Sequence, residues 1–244
     1  MRNDLLMPVC NRSIEQAVSI LREGGLVIGP SRSNYNIMCD PRNERSIERV
    51  FQVKKRTKFG PLTLSISSLS GLDTFIHMPE NLDRGVLSQV WPSELTLIFR
   101  KKYPFPERLT CGAPTVGLTW QGNSAMQRIT EAYGHPLAVT SANLSGSGSG
   151  LVSLDKALSD LGDKVDLILQ EPAEEGAESA GAEIEGNTIV DLSFNPPVLV
   201  RLGIVPLDRI RSRFPGLIED PAVYPQMLQE RRELTEYRKE ASHE

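Results

Sequence analysis

Two short segments hold most of the side chains that could do chemistry. Lys54-Lys55-Arg56-Thr57-Lys58 places four cations within five residues, at the end of a helical pattern and just before a strand. Arginine offers a planar fork for two oxygens and lysine a point charge, so the cluster suits capture of a polyphosphate. It suits equally the last turn of a helix, where cations meet the negative end of the macrodipole and their stems cover apolar surface. The second segment, Thr140-Ser141-Ala142-Asn143-Leu144-Ser145-Gly146 and onward through Ser149 to Gly150, follows a strand. Its hydroxyls and amide can bond an anion, and its glycines let backbone come close to a ligand. It lacks both G-x-x-x-x-G-K-[ST] and G-x-G-x-x-G, so it is neither a P-loop nor a dinucleotide fingerprint. A Gly/Ser tract of this kind also serves as a plain linker.

No nucleophilic triad is evident. Ser141 lacks a histidine partner, since His135 precedes the same strand near its opposite end. His77 before Met78-Pro79 and His135 before Pro136 read as turn residues, and Glu174 and Glu175 fall in an acidic stretch where solvated charge is the ordinary reading. Anion-binding groups without a clear base suit a reaction run by positioning and charge neutralisation, as phosphoryl and nucleotidyl transfer often are.

The elements that must position these groups alternate. Ser13 followed by Gln16 predicts a capping box, with Ile14, Ala17, Val18 and Leu21 as one apolar stripe ending at Gly24-Gly25. Leu26 to Ile28 reads as a buried strand stopped by Gly29-Pro30. Helical patterns follow over Ile47 to Lys54, Leu82 to Val90, Ser124 to Tyr133 and Ser153 to Leu161. Strand patterns cover Leu62 to Ile66, Leu95 to Phe99, Val116 to Trp120, Leu137 to Thr140, Val165 to Leu169, Thr188 to Leu192 and Val198 to Arg201. Such interleaving predicts an α/β class with a largely buried sheet. Residues 171–186 carry six glutamates and no basic residue, which predicts a mobile surface loop.

With 244 residues, the chain is long enough for one full core without disulfide or zinc. The expected division is a catalytic domain over residues 1–205 and an extension over 206–244, partly helical or disordered. Cys10, Cys39 and Cys111 form no C-x-x-C pair, and the three histidines are not at ligand spacing, so no metal site is expected. No run approaches 18 apolar residues and the start lacks a long apolar signal core, which predicts a cytoplasmic protein without a membrane partner. The net charge of −4 conceals a balance of +3 over residues 1–170 and −7 over residues 171–244. A mildly basic body is compatible with an anionic ligand.

Taken together, several motifs become specific. Pro136 to Gly146, PLAVTSANLSG, is close to a T/S-S-A-N-x-S-G signature. Lys54-Lys55-Arg56 matches K-x-R, with Pro61-Leu62 as the P-L that follows. Trp91-Pro92 with Leu95-Thr96 resembles W-P-G-x-L-T, and Thr115-Val116 the start of T-V-x-V-R-x-P. Thr188-Ile189-Val190-Asp191, then Arg201 and Gly203, resemble S-T-V-V-D and R-x-G. Six elements in order, from about Ser13 to Gly203, resemble the YrdC-like family of threonylcarbamoyl-AMP synthases. The resemblance implies a twisted open mixed sheet with flanking helices around a large cavity. It also implies a nucleotidyltransferase reaction, in which L-threonine, bicarbonate and ATP give threonylcarbamoyl-adenylate and pyrophosphate for tRNA modification. Mg2+ would be bound through the phosphates. Lys54 and Arg56 would be catalytic, and Lys54, Arg56, Thr115, Ser141, Asn143, Ser149 and Arg201 would bind the nucleotide.

The amino-acid half matches less well. Arg32, Ser33, Tyr35, Ser65, Thr119 and Asn187 occupy the positions that would bind the amine substrate. Against P-T-[DE]-T-x-Y-G-L, however, Arg32 replaces an acid and Asn36 a glycine. Gly60 stands where Asn often precedes P-L, and Ser65 where a histidine commonly follows. The arginine of V-R-x-P, which would hold the threonine carboxylate, is Thr119, its proline is Gln121, and the serine before T-V-V-D is Asn187. Losing an arginine–carboxylate pair in a closed site costs on the order of 2–5 kcal/mol. The expectation is therefore an adenylating half that is kept and an amine acceptor that is altered, with simple drift in an ordinary threonine enzyme as the competing account. Two other functions compete: a carbamoyltransferase that uses carbamoyl phosphate, and a catalytically degraded binder of nucleotide or RNA.

Overall fold

A computed structural model of the chain describes residues 5–57, 60–146, 151–171 and 186–240, with 235–240 described by their backbone alone. Its strands are β1 (Leu6–Pro8), β2 (Val27–Pro30), β3 (Tyr35–Cys39), β4 (Thr63–Ser65), β5 (Ile76–His77), β6 (Leu95–Lys101), β7 (Thr115–Thr119), β8 (Leu137–Ser141), β9 (Leu167–Gln170), β10 (Thr188–Asp191) and β11 (Val198–Arg201). Its helices are α1 (Asn11–Arg22), α2 (Glu44–Val53), α3 (Leu72–Phe75), α4 (Arg84–Val90), α5 (Glu107–Thr110), α6 (Ala125–Tyr133), α7 (Leu154–Leu161), α8 (Leu207–Arg211) and α9 (Tyr224–Glu240). The strands form one mixed sheet in the order β1-β9-β2-β3-β8-β4-β7-β6-β10-β11, with β5 paired to β6.

The helix ends follow local chemistry. Asn43, Ser124 and Ser153 each accept a backbone N–H three residues on, and Gly134 ends α6 at φ 81 in the left-handed region open to glycine. Ser13 differs from the expectation. Helix α1 begins three residues earlier, and the Ser13 hydroxyl accepts from the Cys10 amide at 2.9 Å and donates to the Pro8 carbonyl at 2.7 Å. The sequence patterns also passed over β1 and β3. Strand β3 is central, antiparallel to both β2 and β8. Its asparagine-flanked start resembles a turn, and burial between two partners overrides that local preference.

Residue parity gives the sheet two unlike faces. One is mostly apolar: Ile37, Leu64, Leu97, Leu118 and Val190 join one large core with α2, α4 and α7. Each such buried Leu or Ile contributes about 1.5–3 kcal/mol. The other face changes character midway. Under α1 and α6 it is apolar, with Val27, Met38, Leu137, Val139 and Leu167 in a second core. Beyond β8, α6 still covers Ser65 of β4, and the rest of the face carries Thr63, Thr96, Thr115 and Thr119.

The segment after β11 joins this body. Ile210 and Phe214 are buried in the large core. The first turns of α9 also dock on it. The Tyr224 hydroxyl donates to Asp191 at 2.9 Å, and Arg231 donates to the Ser193 hydroxyl at 2.7 Å while lying 4.0 Å from the centre of the Phe194 ring. The expected acidic loop falls almost wholly outside the described residues. Among the described residues, no helix is long and apolar enough to cross a membrane.

Candidate functional site

The polar part of the second sheet face is a floor of short side chains. Strand registers set Ser65 beside Thr119, Thr119 beside Thr96, Thr96 beside Ile189 and Ile189 beside Arg201 in one row across five strands. A parallel row runs from Thr63 through Gly117 to Ile98. A Cβ at Gly117 would come within 3.3 Å of the Thr96 methyl, so glycine keeps this floor flat. Three adjoining hollows open over the floor and its edge. A central cavity of about 320 Å³ is lined by Asn36, Arg56, Thr96, Thr119, Ser141, Asn143, Asn187 and Arg201, among others. A groove of about 450 Å³ shares Arg56, Ser141 and Asn143 with it, and a recess of about 540 Å³ shares Thr63, Thr96 and Ile189. These volumes fall within the range of small-ligand sites.

The cationic end is built by tying the end of α2 to the loop after β8. Lys55 adopts φ 50, which turns the chain back, and the Arg56 amide closes on the Phe51 carbonyl at 2.9 Å. The Ser145 amide then donates to the Lys54 carbonyl at 3.0 Å. The Lys54 side chain is fully buried, and its ammonium donates to the carbonyls of Ser141 and Asn143, the latter at 2.6 Å. Burial and the neighbouring Arg56 pull the Lys54 ammonium down to about 7, against the opposing pull of Asp160. Lys54 thus holds the loop in place from behind. Arg56 is the cation that faces the cavity. It donates to the Gly60 carbonyl at 2.8 Å, the Thr140 hydroxyl at 3.1 Å and the Ser145 hydroxyl at 3.2 Å, and burial lowers its pKa. The Ser141 hydroxyl donates to the Asn143 side-chain oxygen at 2.7 Å.

The far end is held by amides and hydroxyls. The Asn187 side-chain amide donates to Thr96 at 3.1 Å and Thr119 at 3.3 Å and accepts from Gln121 at 3.0 Å. The Asn187 carbonyl accepts twice from the Arg201 guanidinium, at 2.8 and 3.0 Å. Asn36, on the same face of β3, donates to the Ser31 hydroxyl at 3.0 Å.

The fold brings Arg56, Ser141, Asn143, Thr119, Asn187 and Arg201 to one cavity, with Lys54 directly behind it and Thr115 in the adjoining recess. Four residues assigned to the amine substrate are placed elsewhere. Arg32 is paired with Glu94 at 2.9 Å and is half exposed. The Ser33 hydroxyl is buried without a hydrogen-bond partner among the described residues, and Ser33 is not part of the cavity lining. Tyr35 packs against the large core, since parity turns it to the face opposite Asn36. Ser65 is covered by α6, its hydroxyl 3.1 Å from that of Thr130. Ser149 lies outside the described residues. Sequence reasoning did not assign Asn34, Asn36, Thr63, Thr96 or Gln121 to the site, although all line the cavity. The alternation of Thr with Leu in β4, β6 and β7 is the signal that could have found Thr63 and Thr96. Among the described residues no group of three or more His, Cys, Asp or Glu could hold a metal ion.

Fold and cavity together define an α/β domain whose mixed sheet leaves a polar, arginine-edged hollow on one face. Residues 19–203 match the family model Sua5_yciO_yrdC, described as telomere recombination, and the chain belongs to that family. It is 30% identical over 212 residues to the threonylcarbamoyl-AMP synthase of Pyrococcus abyssi, a stretch covering 86% of this chain and 60% of that protein. Escherichia coli YciO, named an uncharacterized protein, is 28% identical over 196 residues, covering 79% of this chain and 90% of YciO. The crystal structure of P. abyssi Sua5 complexed with L-threonine matches with a TM-score of 0.77 at 28% identity, over 90% of this chain and 62% of that one. The chain thus spans less than two thirds of the length of its P. abyssi relative.

Proposed function

We propose that the cavity joins ATP, bicarbonate and an amine, L-threonine or a replacement, into a carbamoyl-adenylate with release of pyrophosphate. The observation that carries this reading is the meeting of Arg56, Ser141, Asn143 and Arg201 in one cavity of about 320 Å³. The P. abyssi relative, named a threonylcarbamoyl-AMP synthase, supports the same chemistry.

The free amine adds to bicarbonate with loss of water and forms a carbamate. A carbamate oxygen then attacks the α-phosphorus of ATP, and the bond from that phosphorus to the bridging oxygen breaks to expel pyrophosphate. Arg56 and the Ser141–Asn143 loop neutralise the negative charge that builds on the phosphates. Lys54 keeps that loop in register without touching the reacting atoms. The hydroxyl and amide side chains of the floor orient the amine end, and enclosure protects the adenylate from water. Magnesium enters as part of the nucleotide substrate, and no step here runs through a protein-held ion. Transfer of the carbamoyl group to a tRNA adenosine, and a cytoplasmic setting, complete the proposal.

The test is pyrophosphate release from ATP and bicarbonate across a panel of amines. Release that depends on both bicarbonate and an amine supports the synthase. ATP binding with no release for any amine, or release from carbamoyl phosphate in place of bicarbonate, overturns it.

A further inference from the structure

We infer that the Thr96–Thr119–Gln121–Asn187 cluster is a subsite for an uncharged, hydrogen-bond-donating group, so that the amine substrate presents a carboxamide there and not a free carboxylate. This rests on the carbamoyl-adenylate reading above and specifies the substrate class of the same cavity.

The argument is an accounting of donors and acceptors. Both protons of the Asn187 amide are used, on Thr96 and Thr119. The Thr119 hydroxyl donates to the Leu95 carbonyl at 3.2 Å. Gln121 donates to Asn187, which leaves the Gln121 side-chain oxygen buried and without a hydrogen-bond partner among the described residues, in a side chain only 4% exposed. A buried acceptor left unsatisfied is costly, so the site favours a ligand that brings a donor. A carboxylate can only accept. Against this oxygen, which cannot donate, it would be repelled and would lose hydration. A carboxamide offers an N–H to Gln121, and its oxygen can accept from the Thr96 hydroxyl.

The charge inventory agrees. Among the described residues lining the central cavity, the ionisable side chains are Arg56 and Arg201. Arg56 belongs to the opposite end. Arg201 is already engaged: its guanidinium donates twice to the Asn187 backbone carbonyl, at 2.8 and 3.0 Å.

Calorimetric titration of L-threoninamide and L-threonine into the full chain, saturated with a non-hydrolysable ATP analogue, tests the inference. Measurement near pH 6.5 keeps both α-amines protonated. The expected result is binding of the amide about tenfold tighter than threonine. Equal or tighter binding of threonine, or no binding of either ligand at millimolar concentration, would overturn the subsite. Gln121→Leu should abolish the preference while leaving affinity for the ATP analogue unchanged, and a preference that survives it counts against Gln121. Because the readout is binding, the result stands apart from pyrophosphate release: silence in that assay defeats the synthase, whereas reversed ligand preference defeats only the carboxamide.

Discussion

At one end of the cavity, cations are gathered by a helix terminus and a loop that lie 87 residues apart in sequence. At the other, four neutral side chains, Thr96 of β6, Thr119 of β7, Gln121 just after β7 and Asn187 just before β10, bond one another and leave the Gln121 side-chain oxygen unpaired. The first arrangement is costly to build, because Lys54 is buried and lies close to a second cation, and its reward comes only when an anion arrives. The second leaves one buried acceptor unpaired, and its four side chains carry no charge. Set side by side, the two ends show how one sheet face separates recognition of phosphate from recognition of the amine: charge at one end, hydrogen-bond pattern at the other.

Truncating the cationic end should have the largest effect. Arg56→Ala is expected to weaken ATP binding by about 1.5–3 kcal/mol, as for hydrogen bonds to a charged group, with threoninamide binding to the ATP-free protein little changed. Isothermal titration reads both. Undiminished ATP affinity would mean that this arginine serves only to brace Gly60 and Thr140.

Lys54 gives the next test, and its sign follows from proton binding. In the folded chain its ammonium titrates at about 7, against 10.5 when unfolded. Between those values the unfolded chain holds the extra proton, so this group makes folding stability rise with pH. From pH 7 to 9 the rise it supplies is about 2 kcal/mol by linkage. Lys54→Met should lose that increment, which urea unfolding at the two pH values would measure. An identical rise in the variant would show that the lysine keeps its ordinary pKa and that the buried cation is not a strained element of the site.

How much of this was legible beforehand follows the same division. Lys54, Arg56, Ser141 and Asn143 sit in contiguous runs, and contiguous runs can be read from sequence because local chemistry and local chain geometry coincide. The neutral end was only half visible. Thr119, Gln121 and Asn187 stood out as departures from the family pattern, but nothing local says that Gln121 and Asn187, 66 residues apart, bond each other. Thr63 and Thr96 alternate with leucines as any half-buried strand does, and only the cavity above them marks their face as a floor. Tyr35 misled because its motif position was kept while parity turned the ring into the core. The docking of α9 was hidden in a charged segment, where Tyr224, Leu228 and Arg231 form a stripe whose partner, Asp191, is supplied by β10.

The smallest effect belongs to the neutral end and decides whether the two ends are separable at all. Thr119→Val keeps the shape and β-branching of a buried strand residue and removes one hydroxyl. It deprives Asn187 of one acceptor and the Leu95 carbonyl of one donor. The expected cost is about 1 kcal/mol of stability, read as a small drop in the urea midpoint, with ATP affinity unchanged because the hydroxyl lies on the amine side of the floor. If ATP binding falls as far as in Arg56→Ala, the row from Thr119 through Thr96 and Ile189 to Arg201 transmits the change and the cavity acts as one unit. Unchanged ATP affinity, with the preference between carboxamide and carboxylate shifted, would place amine selection in the hydroxyls of the floor and leave phosphate binding to the loop that Lys54 holds.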